Sequence, residues 1–192
     1  AAWLDKEAAR IGLVTEDRKG QSLVLGQSVT ENATLAALRE FLYFLNIINQ
    51  PAERKAVSRV VSDLNIKTPS ISTMVANLSG GNQQKVVIAK FLLAHIKLFL
   101  LDEPTRGIDV GAKAEVYTLI GELAKRGTGF LLVSSELPEL LAVSDRIYVL
   151  CDGRLTGEFA RDEFDQAAIM EAATRFANGN HDEQPEPEET GI

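Results

Sequence analysis

With 192 residues, 45% of them apolar and 24% charged, the chain can bury the core of one domain and has the ordinary balance of a globular protein. No run approaches the roughly 18 apolar residues needed to span a bilayer, and Asp5, Lys6 and Glu7 close behind Trp3 leave no apolar stretch of the kind a signal peptide carries. The net charge is −7, but five acids and no Lys or Arg fall in Asn178–Ile192, which leaves about −2 on the rest and argues against a nucleic-acid partner, for which a basic patch is required.

In chain order, Ile11–Thr15 reads as a short buried strand and Glu16-Asp17-Arg18-Lys19-Gly20 as the loop leaving it. Thr30 and Glu31 mark a helix start, and apolar residues continue at helical spacing from Ala33 through Leu45. Pro51 at an N1 position opens a second helix running to about Leu64. Pro69 and its Ser and Thr neighbours form a loop into Leu78, and Ser79 stands where it can cap a helix from about Gly81 to Ala94. His95, at the end of that helix, reads as a surface or capping residue, since no second His or Cys lies near it. A strand (Lys97–Asp102), a helix (Gly111–Arg126), a strand (Gly129–Ser134), a short helix (Leu137–Val143) and a strand (Arg146–Cys151) follow. Asp152-Gly153 predicts a hairpin turn into Leu155–Phe159, and a last helix covers about Asp165–Phe176. The single cysteine, Cys151, allows no internal disulfide and reads as a buried thiol in a reducing compartment. The acidic end, with Pro185 and Pro187, reads as disordered and leaves His181 inert. Strands alternating with helices imply an α/β layer with a parallel sheet.

Two segments carry chemistry. Leu78-Ser79-Gly80-Gly81-Asn82-Gln83-Gln84-Lys85 is a glycine turn feeding a helix, and free backbone N–H groups at the positive end of a helix dipole can hold a phosphate. Leu98-Phe99-Leu100-Leu101-Asp102-Glu103-Pro104-Thr105 is an apolar run ending in two carboxylates, the first suited to Mg²⁺ and the second to orienting an attacking water. Read locally, the glycines are a helix entry, the carboxylates a strand-end cap and Asp109 an Asx-turn.

Together, in this order, and with Thr105-Arg106-Gly107-Ile108-Asp109 following, these segments resemble the signature loop, Walker B strand and D-loop of ATP-binding cassette (ABC) proteins. The 78–85 and 102–113 segments, and Val14-Thr15-Glu16-Asp17-Arg18-Lys19 as a Q-loop region, resemble most the second cassette of tandem-cassette bacterial carbohydrate importers of the ribose, galactose and xylose type. The resemblance implies an α/β, P-loop NTPase-like ABC cassette core, a mostly parallel sheet with helices, plus an inserted helical subdomain over about 28–95. Residues 1–177 are then expected to form a partial cassette and 178–192 an acidic disordered tail. A phosphate-cradling G-x-x-x-x-G-K-[ST] pattern is absent from the sequence, so the N-terminal P-loop portion is expected to be missing and this piece alone to be inactive.

The resemblance also implies cofactors and partners: ATP and Mg²⁺, a second cassette, membrane permease subunits and, indirectly, a periplasmic sugar-binding protein, with the chain peripheral on the cytoplasmic face of the bacterial inner membrane. Asp102 is the expected metal ligand and Glu103 the residue that orients or deprotonates water. Ser79, Gly80, Gly81 and Asn82 are expected to touch ATP held by the other cassette, and Asp109 to sit at the interface between cassettes. Glu16 stands where most cassettes have a Q-loop glutamine, and Ser135, in Val133-Ser134-Ser135-Glu136, where most have a switch histidine. Serine donates a hydrogen bond but does not become cationic near neutral pH, which leaves open a catalytically attenuated, regulatory cassette. Gln21–Gly26 and the apolar run Phe41–Leu45 are expected at the permease cleft, with Leu23, Leu25, Tyr43 and Phe44 as contacts and packing inside the helical subdomain as the alternative.

Overall fold

The computed structural model describes residues 10–43 and 46–176. They fall into two compact units that divide between Ser135 and Glu136, inside the span expected of one cassette. The 178–192 tail, Phe44 and Leu45 lie outside the described residues.

The first unit is built on three parallel strands in the order β1 (Ile11–Val14), β2 (Leu98–Asp102), β3 (Gly129–Val133), with Ile11 opposite Leu98 and Leu98 opposite Gly129. Alternation along each strand decides what is buried. Val14, Phe99 and Leu101 are sealed, and Phe99 stacks on Phe130 and meets Phe91 edge-on. The opposite face keeps Ile11, Leu13, Leu131 and Val133 half exposed.

The sealed face belongs to a core shared with four helices: α1 (Val29–Thr34), α2 (Gln50–Asp63), α3 (Gly80–Leu93) and α4 (Val110–Lys125). Ser28 caps α1 through a capping box with Glu31, Asn49 caps α2 ahead of Pro51, and Asp109 caps α4. His95 follows the end of α3 with φ 52° and reaches Glu40 at 3.1 Å, a surface role.

The first helix is shorter than its apolar spacing suggests. It stops at Thr34 instead of running to Leu45, and a 3₁₀ turn at Leu38–Phe41 follows. Thr34 bonds back to the Thr30 carbonyl and across to Glu53, and the Leu35 and Ala37 amides bond three residues back, so the α-ladder gives way. Glu16–Gly20 was expected to be irregular, and Arg18–Ser22 instead closes one wide, π-type turn, with Asp17 accepting from the Gly20 amide.

The second unit holds α5 (Leu137–Val143), the antiparallel hairpin β4 (Arg146–Cys151) and β5 (Arg154–Ala160), and α6 (Gln166–Thr174). Asp152 and Gly153, at φ 50° and 76°, make the expected turn. Ile147, Val149, Ile169 and Ala172 form its core, and Cys151 is buried. Among the described residues no helix is long and apolar enough to cross a membrane.

Candidate functional site

The glycine turn is held by its own side chains. Ser79 occupies the N-cap of α3, as its position suggests, but its hydroxyl makes no cap bond. It accepts instead from Asn82 Nδ2 at 2.9 Å, while Asn82 Oδ1 accepts from the Lys67 amide at 2.8 Å. Asn82 therefore fastens the turn to the preceding loop. The first-turn amides of α3 have no intrahelical acceptors, as at any helix N-terminus, and Ser79 is exposed beside them.

The two glycines do different jobs. A Cβ on Gly81 would stand 2.6 Å from Ala112 Cβ, so Gly81 is the point where α3 crosses α4. A Cβ on Gly80 would meet Arg18 Nη2 and the Gly107 carbonyl, each at 3.3 Å. Ser79, Gly81, Asn82 and Asp109 line one polar groove of about 300 Å³, with Lys67 and Glu115 on its wall. Asp109 caps α4 through the Ala112 amide at 2.9 Å, which is its local role, and its side chain is exposed at the groove. A larger cavity of about 630 Å³ lies between α2 and the C-terminal ends of α3 and α4, lined by Ala and Leu side chains together with Lys55, Arg59, Asp63 and Arg126. None of the expected site residues lines it.

Glu115 accepts from Lys67 Nζ and Lys85 Nζ, both at 2.8 Å. Hydrogen bonds from Lys67 and Lys85, with the charge of both, hold its carboxyl down to about 2. Lys85 is buried on α3 and also donates to the Asn65 carbonyl. This cluster joins the start of α4, the buried side of α3 and the loop before the turn.

The second group gathers at the C-terminal end of β2. Asp102, half-buried, pairs with Val133 across the sheet. Glu103 then leaves the strand with φ 46°, a left-handed conformation uncommon outside glycine and a frequent mark of functional residues. Its amide donates to the Val133 carbonyl at 2.9 Å, and its Oε1 accepts from the Ser135 amide at 2.6 Å. Ser135 thus meets the carboxylate through its backbone. Glu16 pairs with Arg106, tying the turn after β1 to the loop after β2. Gly107, at φ 69°, carries that loop on to Ile108 and Asp109.

Among the described residues no cluster of three His, Cys, Asp or Glu stands ready for a metal. Mg²⁺ usually takes one or two carboxylates, waters and substrate phosphates instead of an all-protein cage. Asp102, half-buried at a strand end beside Glu103, fits that smaller demand.

Sequence reasoning missed Arg18, Lys67, Arg106 and Glu115. Arg18 sits in a run of charges that reads as the loop leaving the first strand, yet it is 8% exposed. It also placed Leu23 at a partner surface, and Leu23 is 6% exposed within the core, with Leu25 packed against that core. Tyr43 is 56% exposed, while Phe44 lies outside the described residues.

A family model described as ABC transporter matches residues 2–106. The xylose import ATP-binding protein XylG of Moorella thermoacetica is 51% identical over 164 residues, 85% of this chain and 32% of that protein. The ribose import ATP-binding protein RbsA 2 of Streptomyces coelicolor is 48% identical over 173 residues, 90% of this chain and 33% of that protein. The chain thus spans about a third of the length of the curated relatives it matches. Among solved structures, a dimer of an ATP-binding cassette in a post-hydrolysis state with ADP and Pi superposes with a TM-score of 0.64 at 22% identity, covering 81% of this chain and 65% of that one. That likeness is one of fold.

Proposed function

The chain belongs to the ABC transporter family, and from that premise we propose that it is part of the ATP-binding, ATP-hydrolysing subunit of a sugar importer, corresponding to the second of two cassettes. The observation that carries the reading is the polar groove at the start of α3, where Ser79, Gly81, Asn82 and Asp109 converge beside helix amides that have no intrahelical acceptor. Such a surface suits the terminal phosphate of a nucleotide held mainly by another cassette. The names of the relatives supply the sugar class. The half-exposed apolar face of a parallel sheet, which ordinarily is covered on both sides, supports further chain packing there in the complete protein.

At the strand end, Asp102 would hold Mg²⁺, which when bound neutralises charge developing on the phosphates. Glu103 orients the attacking water and accepts its proton. The Ser135 amide fixes one carboxylate oxygen and leaves the other for that water. Water positioning and charge stabilisation account for most of the catalysis in phosphoryl transfer. Asp109, at the groove and at the cap of α4, registers the approach of the partner cassette. Val24, Leu35, Leu38 and Tyr43, exposed apolar residues around α1, replace Leu23 as the surface offered to the permease. The complete protein is then peripheral on the cytoplasmic face of the membrane.

A second reading, an attenuated regulatory cassette, is favoured by the pairing of Glu16 with Arg106 and by the absence of an imidazole at Ser135. Glu103→Gln in the complete protein separates the two. It keeps shape and hydrogen bonding but removes the base, so single-turnover hydrolysis at this site should fall by roughly two orders of magnitude or more. Unchanged single-turnover hydrolysis would leave the regulatory reading standing.

A further inference from the structure

Among the described residues, Arg18 is a buried cation without a counter-charge. It stands on the turn after β1, more than nine-tenths buried, and approaches α3 from beneath. Its Nη1 donates to Gln84 Oε1 at 3.5 Å, and its Nη2 lies 3.3 Å from the point where a Gly80 Cβ would stand. Its Nε has no acceptor, nor does the buried Gln84 Nε2. Among the described residues no carboxylate pairs with it: Glu16 takes Arg106, Asp17 accepts from the Gly20 amide, and Asp109 caps α4. Burial pushes its pKa below the ordinary arginine value, and no anion raises it.

The neighbouring buried cations have closer polar partners. Lys85 has Glu115, while Lys90 donates to the Ser22 carbonyl at 2.7 Å and lies over the Phe91 ring. A buried charge left unpaired destabilises a fold, and such groups concentrate where a counter-ion arrives during function. The 14-residue helix α3 presents its own partial positive charge at the same end.

We infer that Arg18 is a positioning residue that supplies positive charge behind the Gly80-Gly81 turn and strengthens its hold on the terminal phosphate of a nucleoside triphosphate presented by a second cassette. The inference rests on the reading of the α3 groove given above. Arg18 acts across the backbone of Gly80, where a side chain would intrude, and does not itself touch the phosphate.

The test uses the complete protein, with ATP hydrolysis and the thermal shift produced by Mg–AMP-PNP as readouts. Arg18→Met should leave nucleotide-free melting unchanged or raised while increasing the KM for ATP about tenfold, with a smaller effect on kcat. Arg18→Lys should restore most of the affinity. Arg18→Gln, which still reaches Gln84, should behave like Arg18→Met. A lower nucleotide-free melting temperature with an unchanged KM, a failure of Arg18→Met to fold, or no recovery in Arg18→Lys would overturn the assignment. Ser79→Phe, which fills the groove, separates the role of Arg18 from that of the groove. If it abolishes the nucleotide response and Arg18→Met does not alter it, only the Arg18 assignment falls; if Ser79→Phe changes nothing, the reading of the groove itself is wrong.

Discussion

The geometry of the groove depends on how closely α3 crosses α4 at Gly81, and Gly81→Ala tests that directly. The added Cβ would stand 2.6 Å from Ala112 Cβ, where ordinary contact needs 3.4–4 Å. Both atoms are fixed to backbone, so neither swings aside, and the helices must part by about 1 Å in an interior that packs with few voids. Overpacking of this kind costs about 1–3 kcal/mol. Replacing a helical glycine by alanine returns up to about 1 kcal/mol, and less in a first turn. The net loss is then about 1–2 kcal/mol, or a fall in Tm of roughly 2–8 °C for a chain of this size. Ala112→Gly, also in a first turn, should cost up to about 1 kcal/mol through helix propensity. In the double variant the spacing is restored, so its loss should undercut the sum of the two single losses by the overpacking cost, about 1–3 kcal/mol. Urea or thermal unfolding of the four proteins gives the coupling. Additive losses, or no loss from Gly81→Ala, would refute the close crossing.

Glu115, held near 2 by Lys67 and Lys85, has a depressed pKa, so its contribution to stability is complete above about 4.5 and is lost as pH falls toward 2; in Glu115→Gln, acid titration of unfolding should lose slope in that window, and an unchanged slope would show the cluster to be inert. Leu23→Asp should unfold the chain, as expected of a core residue, whereas Tyr43→Asp should leave ATP hydrolysis nearly intact and reduce transport by the complete importer; the reverse pattern in melting curves and uptake assays would reject the revised docking surface.

Elements set by local signals were legible in the sequence. The short helix Leu137–Val143 and the strand Arg146–Cys151 fall where the apolar periodicity puts them, and Asp-Gly at 152–153 specifies its own turn. The strand ending at Asp102 and the helix entry at Ser79 were equally plain, since abrupt changes of polarity mark both. What the sequence hid are interactions between distant positions. Arg18 and Gln84 are 66 residues apart, and Lys67 and Glu115 are 48 apart, so no periodicity announces either pair. The helix ending at Thr34 was overextended because apolar spacing continues past it, while buried bonds from Thr34 to Thr30 and Glu53 decide where it stops. Leu23 is expected at a partner surface because the family resemblance puts a permease cleft there, yet a tertiary core buries it.

On the proposed function, the α3 groove receives the terminal phosphate of a nucleotide bound chiefly by another cassette. A structure of the complete protein carrying Glu103→Gln, solved with Mg–ATP, measures this directly. The expected result is two cassettes closed face to face, with the γ-phosphate within hydrogen-bond distance of Ser79 Oγ and the first-turn amides of α3. A closed, ATP-loaded protein whose phosphates lie away from Ser79 and Gly80 would contradict it.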